Sequence, residues 1–205
     1  MTDDNAFSNR RGFMLFGAAA AASLIVPAAP ALAAPASKVK AKALPAPPTP
    51  RPALRPGSTR ALRLHVVNTG ERWNGIYWRD GAYVPEATRR LDALLRDHRA
   101  GQTHKMDPKL FDQLWELQQR LDSSEPWRVV SAYRSPQTNA AARRAQGGVA
   151  RNSFHIQGKA LDVDLADRSV RAIRQAAMEL HAGGVGQYAR SDFVHLDTGP
   201  VRSWG

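Results

Sequence analysis

The hydrophobic patterning predicts an α+β domain in which a small, largely antiparallel sheet packs with several helices. Helical spacings come first along the chain and most strand-like runs come late. Residues 61–205 are one domain's worth of chain, long enough for a single core, with no repeat at solenoid periods. The chain contains no cysteine, so that core must hold without disulfides.

Leu62, Leu64 and Val66 alternate with polar neighbours as in a strand. Asn68-Thr69-Gly70-Glu71 reads as a turn into a second strand near Gly75–Trp78, and Asp80-Gly81 is a further hairpin turn signal. Pro85 suits the first position of a helix over Glu86–Arg99, where Leu91, Leu94 and Leu95 recur at helical spacing. Asp107-Pro108 opens the next helix as N-cap and first residue, and Leu110, Phe111, Leu114, Leu117 and Leu121 line one face of it. Trp127–Tyr133 reads as a buried strand. Ser135-Pro136 starts a short helix over Gln137–Gln146 that stops at Gly147-Gly148. Ala160–Leu165 is a strand and Ser169–His181 a helix ended by Gly183-Gly184. Val185–Tyr188 and Asp192–Asp197 close the sheet.

The ends of the chain have a different character. Residues 1–33 read as an export signal: Arg10-Arg11 precedes an apolar run from Phe13 to Val26, and Ala31-Leu32-Ala33 supplies a small-x-small cleavage pattern. Paired arginines followed by Phe13 fit the twin-arginine route, with an ordinary secretory signal as the alternative. The Ala-rich stretch is short and only mildly apolar, so no stable membrane insertion is expected after cleavage, and the compartment expected is the periplasm. Residues 34–60 carry six basic side chains, no acid and a series of prolines, the composition of a basic linker that cannot bury a core. The net charge of +11 therefore overstates the domain, where 21 Lys and Arg face 16 Asp and Glu. Outside the cytoplasm such a tail suits anionic wall polymer or a membrane surface rather than nucleic acid; a solvated spacer is the plain alternative.

Without thiolates, any metal must be held by His, Asp and Glu. Ser153-Phe-His155-Ile-Gln-Gly158-Lys-Ala160-Leu-Asp162 and Phe193-Val-His195 offer two imidazoles and a carboxylate, the ligand set of a zinc hydrolase with one position left open. Each sits in or beside an apolar strand, where an unpartnered polar side chain is costly. Alternation in Ala160-Leu-Asp162-Val-Asp164 sends both aspartates to one face, where they repel unless a cation lies between them. A metal is one solution and an arginine another. His65, His98, His104 and His181 take structural readings, as do Trp73, Trp78, Trp115 and Trp127. No HExxH, phosphate loop or serine elbow is present.

Ser-x-His-x-x-Gly-x-Ala-x-Asp, here Ser153 to Asp162, resembles the zinc motif of the D,D-peptidase superfamily that contains VanX-type dipeptidases and murein endopeptidases. Ser131-Ala-Tyr-Arg134-Ser135 is similar to the Ser-Gly-Tyr-Arg-Ser segment of the same enzymes. Phe111-Asp-Gln-Leu, Ala182-Gly-Gly-Val-Gly186 and Phe193-Val-His-x-Asp-Thr-Gly-Pro200 resemble the murein endopeptidase K-like family across essentially all of 61–205, and the leader resembles that family's twin-arginine signal. The resemblance implies the zinc D,D-peptidase (VanX-like) fold and a Zn²⁺ held by His155, Asp162 and His195. It implies a peptidoglycan endopeptidase acting on crosslinks between diaminopimelate residues; a monomer is expected. Arg134 would then contact the substrate carbonyl, with an ion pair to Asp162 or Asp164 as its structural alternative. Ser153 and Gln137 or Asn139 are candidates for hydrogen bonds to substrate. The general base falls at Asp192, where VanX-type relatives carry a Glu. Strict alternation from His195 sends Asp192 to the opposite face, whereas Asp197 passes that test as base or as a partner of the ligands. Two rival readings stand beside this one: a D-Ala carboxypeptidase or dipeptidase, for which the surplus Arg143, Arg144, Arg151 and Arg190 leave room, and a non-catalytic wall-binding module.

Overall fold

The computed structural model describes residues 57–146, 149–188 and 191–205. The leader expected over 1–33 lies outside the described residues, as does the linker over 34–60 apart from its end. In chain order the described residues form β1 (Thr59–Val66), β2 (Arg72–Arg79), β3 (Ala82–Tyr83), α1 (Pro85–Leu94), α2 (Lys109–Arg120), β4 (Trp127–Ser131) and α3 (Pro136–Gln146). A 3₁₀ turn (Phe154–Gln157) follows, then β5 (Ala160–Asp164), α4 (Val170–Leu180), β6 (Gly184–Tyr188), β7 (Phe193–Asp197) and β8 (Arg202–Trp204).

The strands make one sheet in the order β3-β2-β1-β4-β5-β7-β6-β8. The α+β class holds, but the small sheet expected is corrected to one of eight strands, mixed in direction. β1 runs parallel to β4 and β8 parallel to β6, while the remaining neighbours are antiparallel. The first parallel pair needs a long connection, and α1 and α2 provide it. β3 and β8 escape a periodicity reading because two or three residues are too few to show an alternation.

The apolar stripes of α2 and α4 form the core together with the inward positions of the strands. Leu110, Phe111, Leu114, Leu117 and Ile173 bury against Leu62, Leu64, Trp127, Leu161, Val163, Val194 and Leu196. By alternation, Asp162, Asp164, His195 and Asp197 are left on the opposite face of β5 and β7. The N-cap of α2 is Pro108 rather than the expected Asp107, whose carboxylate instead accepts the Lys109 N–H at 3.1 Å from one residue further out.

Two elements stop short of their patterns. The helix expected over 86–99 ends at Leu94. Beyond it the Asp97 carboxylate captures the N–H groups of Arg99 and Ala100, offering the backbone an alternative to the helical ladder. The strand expected over 127–133 ends at Ser131, because the Tyr133 N–H bonds to Leu95 O and Arg134 N–H to His155 O instead of continuing a ladder.

A buried acid fastens the outer strands to α2. Asp112 accepts hydrogen bonds from Arg60 (2.5 Å), Tyr77 (3.0 Å) and Tyr83 (2.6 Å), joining β1, β2 and β3 to the helix. Burial, then the Asp112 charge, pushes the Tyr77 hydroxyl far above its ordinary pKa, so it remains a donor. Replacing Asp112 by Ala leaves a buried guanidinium and two hydroxyls without their acceptor. The expected loss is about 3–5 kcal/mol of unfolding free energy, read as a lower urea midpoint.

Candidate metal centre

The 3₁₀ turn that carries His155 is shaped by its two flanking residues. Ser153 Oγ accepts the His155 N–H at its start, and Gly158 closes it in the left-handed region at φ 66°. Only glycine fits there, since a Cβ at Gly158 would come within 2.4 Å of Lys105 O. Asp162 and His195 are direct cross-strand partners on β5 and β7. They belong to one row running across five strands: Ser131, Asp162, His195, Gly186, Trp204.

His155 Nε2, Asp162 Oδ1 and His195 Nδ1 converge, with separations of 3.2 Å (His155 to His195), 3.2 Å (His155 to Asp162) and 2.8 Å (His195 to Asp162). The outer ring nitrogens are both committed: His155 Nδ1 lies 2.6 Å from Ala132 O, and His195 Nε2 lies 3.1 Å from Asp197 Oδ2. A carbonyl and a carboxylate only accept, so each outer nitrogen donates and each inner nitrogen presents a lone pair. Three atoms able to present lone pairs thus face one another in a largely buried site, an arrangement that a shared cation would satisfy. Zn–N bonds of about 2.0–2.1 Å at tetrahedral angles put ligand atoms roughly 3.3 Å apart, close to the separations found. The residues fit a zinc ion, with the outer partners that zinc-ligating histidines usually have.

Protonation preferences follow the same geometry. Burial lowers the His155 pKa, with the Asp162 charge only partly offsetting it. Burial works against the Asp162 carboxylate, but His155 and then His195 outweigh it and hold its pKa well below the usual range. His195 is raised: burial lowers it, and hydrogen bonds to Asp162 and Asp197 more than reverse this.

Sequence reasoning left a metal and an arginine as alternative answers to the Asp162–Asp164 repulsion, and the structure gives the two aspartates different partners. Asp162 faces the imidazoles, while Asp164 pairs with Arg128 on β4 at 3.3 Å. Arg134 opens beside Asp162 with Nη2 3.8 Å from Oδ2, and its buried Nε has no partner among the described residues. A cleft of about 1180 Å³ lies over the centre, and Arg134, Gln137, Ser153, His155, Asp162 and His195 all line it.

Asn139 and Asp192 fall outside the cleft wall, and of the two roles offered for Asp197 the contacts fit that of a partner to the ligands. Asn139 is not in the cleft wall; it is buried and spends its amide N–H on Ala150 O at 3.0 Å, a loop-fastening role. Asp197 is wholly buried, and it accepts from the N–H groups of Gly184 and Gly199, from both Arg202 terminal nitrogens, and from His195. With its lone pairs so filled and its pKa held far below normal, it has no capacity as a base and instead orients His195. Asp192 precedes β7 in the left-handed region (φ 54°), which breaks the alternation. Its charge falls near Asp164 rather than in the cleft wall.

Other cleft residues carried no signal in the sequence. Trp204 stands over Gly186, where any Cβ would strike its ring, and lies 5.3 Å from the His195 ring. Tyr188 stacks on Phe193 beside it. At the other end of the row, Asn68 and Arg99 complete the wall.

Comparison with known proteins gives this geometry its context. Residues 55–204 match the family described as peptidoglycan L,D-endopeptidase MepK. The chain belongs to that family. The MepK family is part of the zinc D,D-peptidase/VanX-like superfamily. The probable peptidoglycan L,D-endopeptidase MepK of Haemophilus influenzae is 42% identical over 157 residues, covering 76% of this chain and 81% of that protein. The peptidoglycan L,D-endopeptidase MepK of Escherichia coli K12 is 38% identical over 197 residues, covering 96% and 97%.

Asp97 underpins the Arg134 side of the site, because its second oxygen accepts the Ser135 N–H at 2.9 Å. Burial opposes its ionisation, but hydrogen bonds from Thr138, Ser135 and Ala100 win and lower its pKa to about 2. A depressed carboxylate contributes stability above its unfolded pKa and loses it as pH falls through the folded value. The stability advantage of the native protein over D97N should therefore be full at about pH 6 and shrink by about 2 kcal/mol toward pH 2. Urea titrations of both proteins across that range measure it. Metal analysis after zinc loading should find stoichiometric zinc in the native protein and none in H195A. D197N should retain zinc with roughly 10–100-fold weaker affinity.

Proposed function

We propose that this chain is an exported, zinc-dependent murein endopeptidase that hydrolyses an amide between an L- and a D-configured centre in peptidoglycan crosslinks. The observation that carries the reading is the convergence of His155, Asp162 and His195 on the floor of an open cleft, in a chain of the MepK family. Bound by the three inner atoms, zinc would supply a Lewis acid and an acidified water as nucleophile. Ala132 O and Asp197 hold the two imidazoles in the tautomers that point their lone pairs inward. Arg134 aims its guanidinium at the same point and is suited to stabilise negative charge developing on the carbonyl oxygen. Ser153 and Gln137 line the same cleft, which supports a role in hydrogen-bonding the peptide.

The cleft favours an endopeptidase over a trimming enzyme. It continues past the triad toward β4 on one side and β8 on the other, and it exceeds the roughly 300–1,000 Å³ of small-molecule sites. Work on peptidoglycan requires export. The paired arginines and apolar run of residues 1–33 support delivery to the periplasm, with 34–60 as a basic spacer before the catalytic domain.

Purified protein incubated with sacculi should release uncrosslinked muropeptides, and chelation should stop it. Product masses separate crosslink hydrolysis from loss of terminal D-alanine. H195A should be inactive and R134A should lose about 10²–10³ in kcat. D192N should lose far less than the roughly 10²–10⁴ a general base contributes. Cleavage unaffected by chelator and by H195A would sink the proposal.

A further inference from the structure

The cleft has two chemically different ends. On the β8 side stand Trp204, Tyr188 and Phe193. On the β4 side two arginines, Arg99 and Arg134, line the wall together. One buried carboxylate presents both of them. Asp97, 2% exposed, accepts the Arg99 N–H at 3.0 Å and the Ala100 N–H at 3.3 Å on one oxygen, and the Ser135 N–H at 2.9 Å on the other. Both Asp97 oxygens are thereby engaged by neighbouring donors, and neither makes an ion pair with the Arg99 guanidinium. Neighbouring cations are answered: Arg96 pairs with Glu71 and Arg202 with Asp197. Among the described residues the Arg99 guanidinium has no carboxylate partner, and Asp162 is the one acid in the cleft wall.

Burial lowers the Arg134 pKa, the Asp162 charge beside it raises it and the Arg99 charge lowers it, so Arg134 has an acid to answer it whereas Arg99 has none among the described residues. Holding them together beside the reaction centre is useful if an anion enters with the substrate. Arginine pairs carboxylates in a planar, bidentate manner, and Arg99 is exposed at the cleft wall, open to an incoming group. Arg134 is directed toward Asp162 and the centre, so Arg99 is the cation free to read a second group.

We propose that Arg99 is the specificity-determining cation of this cleft, seating a free carboxylate on the residue that carries the scissile amide nitrogen. This rests on the endopeptidase reading. That carboxylate is attached to the same carbon as the nitrogen, so a substrate whose carbonyl meets Arg134 brings it within reach of the adjacent arginine. The β8 end, aromatic and, among the described residues, without an uncommitted cation, suits the apolar surface of the other residue of the amide. The cleft thereby orients an otherwise near-symmetric crosslink.

The test uses two synthetic crosslinked peptides, identical except that the carboxylate beside the scissile nitrogen is free in one and amidated in the other. Cleavage of each is measured with the full-length protein and with R99A and R99K. Affinities are measured by titration calorimetry with metal-depleted protein, a readout independent of turnover. The native protein should favour the free acid by about tenfold or more, chiefly in KM and in Kd, the scale of a charge-assisted hydrogen bond. R99A should handle acid and amide alike, and R99K should recover part of the preference because it keeps the charge but not the fork. A native protein that does not distinguish the peptides, or an R99A variant that keeps the full preference, overturns the proposal. If the native protein cleaves neither peptide, the endopeptidase reading fails. The seat is then judged by Kd alone, where equal affinity for acid and amide overturns it.

Discussion

Much of this site follows from one electrostatic constraint: three lone-pair atoms, from His155, Asp162 and His195, are held about 3 Å apart in a pocket nearly closed to water. They can be held so only because their outer groups are tied down. Ala132 O, at the end of β4, locks one imidazole, and Asp197, two residues along β7, locks the other. The first lock explains why β4 ends where it does. Its last residues turn away from the ladder to meet His155, and Arg134 is placed beside the centre by the same contact, through its N–H to His155 O.

The aspartates of β5 and β7 show how environment separates roles among identical side chains. Asp162 faces two imidazoles, Asp164 faces Arg128, and Asp197 is surrounded by donors. Burial raises the Asp164 pKa despite its arginine, while the neighbours of Asp162 and Asp197 more than cancel the same penalty. Asp197 is valuable because it is saturated: an acid with no free lone pair cannot take a proton, but it holds the ring of His195 in one orientation.

Glycine has two distinct uses around this centre. Gly158 supplies a left-handed closure and room for a neighbouring carbonyl, and so fixes the turn that bears His155. Gly186 supplies only space, which Trp204 fills, bringing an aromatic wall up to the row of Asp162 and His195 from a strand three residues long. With Asp97 presenting arginines at the opposite end, the row becomes a surface with direction.

The sequence alone was enough for the α+β class, the faces of α2 and α4, and the side of β5 on which its aspartates lie, because periodicity encodes faces. Residue chemistry limited any metal ligands to His and carboxylate, and motif likeness identified the triad. Tertiary structure decided what periodicity does not carry: the mixed order of eight strands, the cross-strand row that makes Asp162 and His195 direct neighbours, and the choice of ring nitrogens. It also decided that Asp164 belongs to Arg128, that Asn139 fastens a loop, and that Arg99, forty residues and more from the triad in sequence, stands in the same cleft. Each of these depends on a partner far away along the chain. A local pattern specifies which way a side chain points, and only the folded chain specifies what it meets.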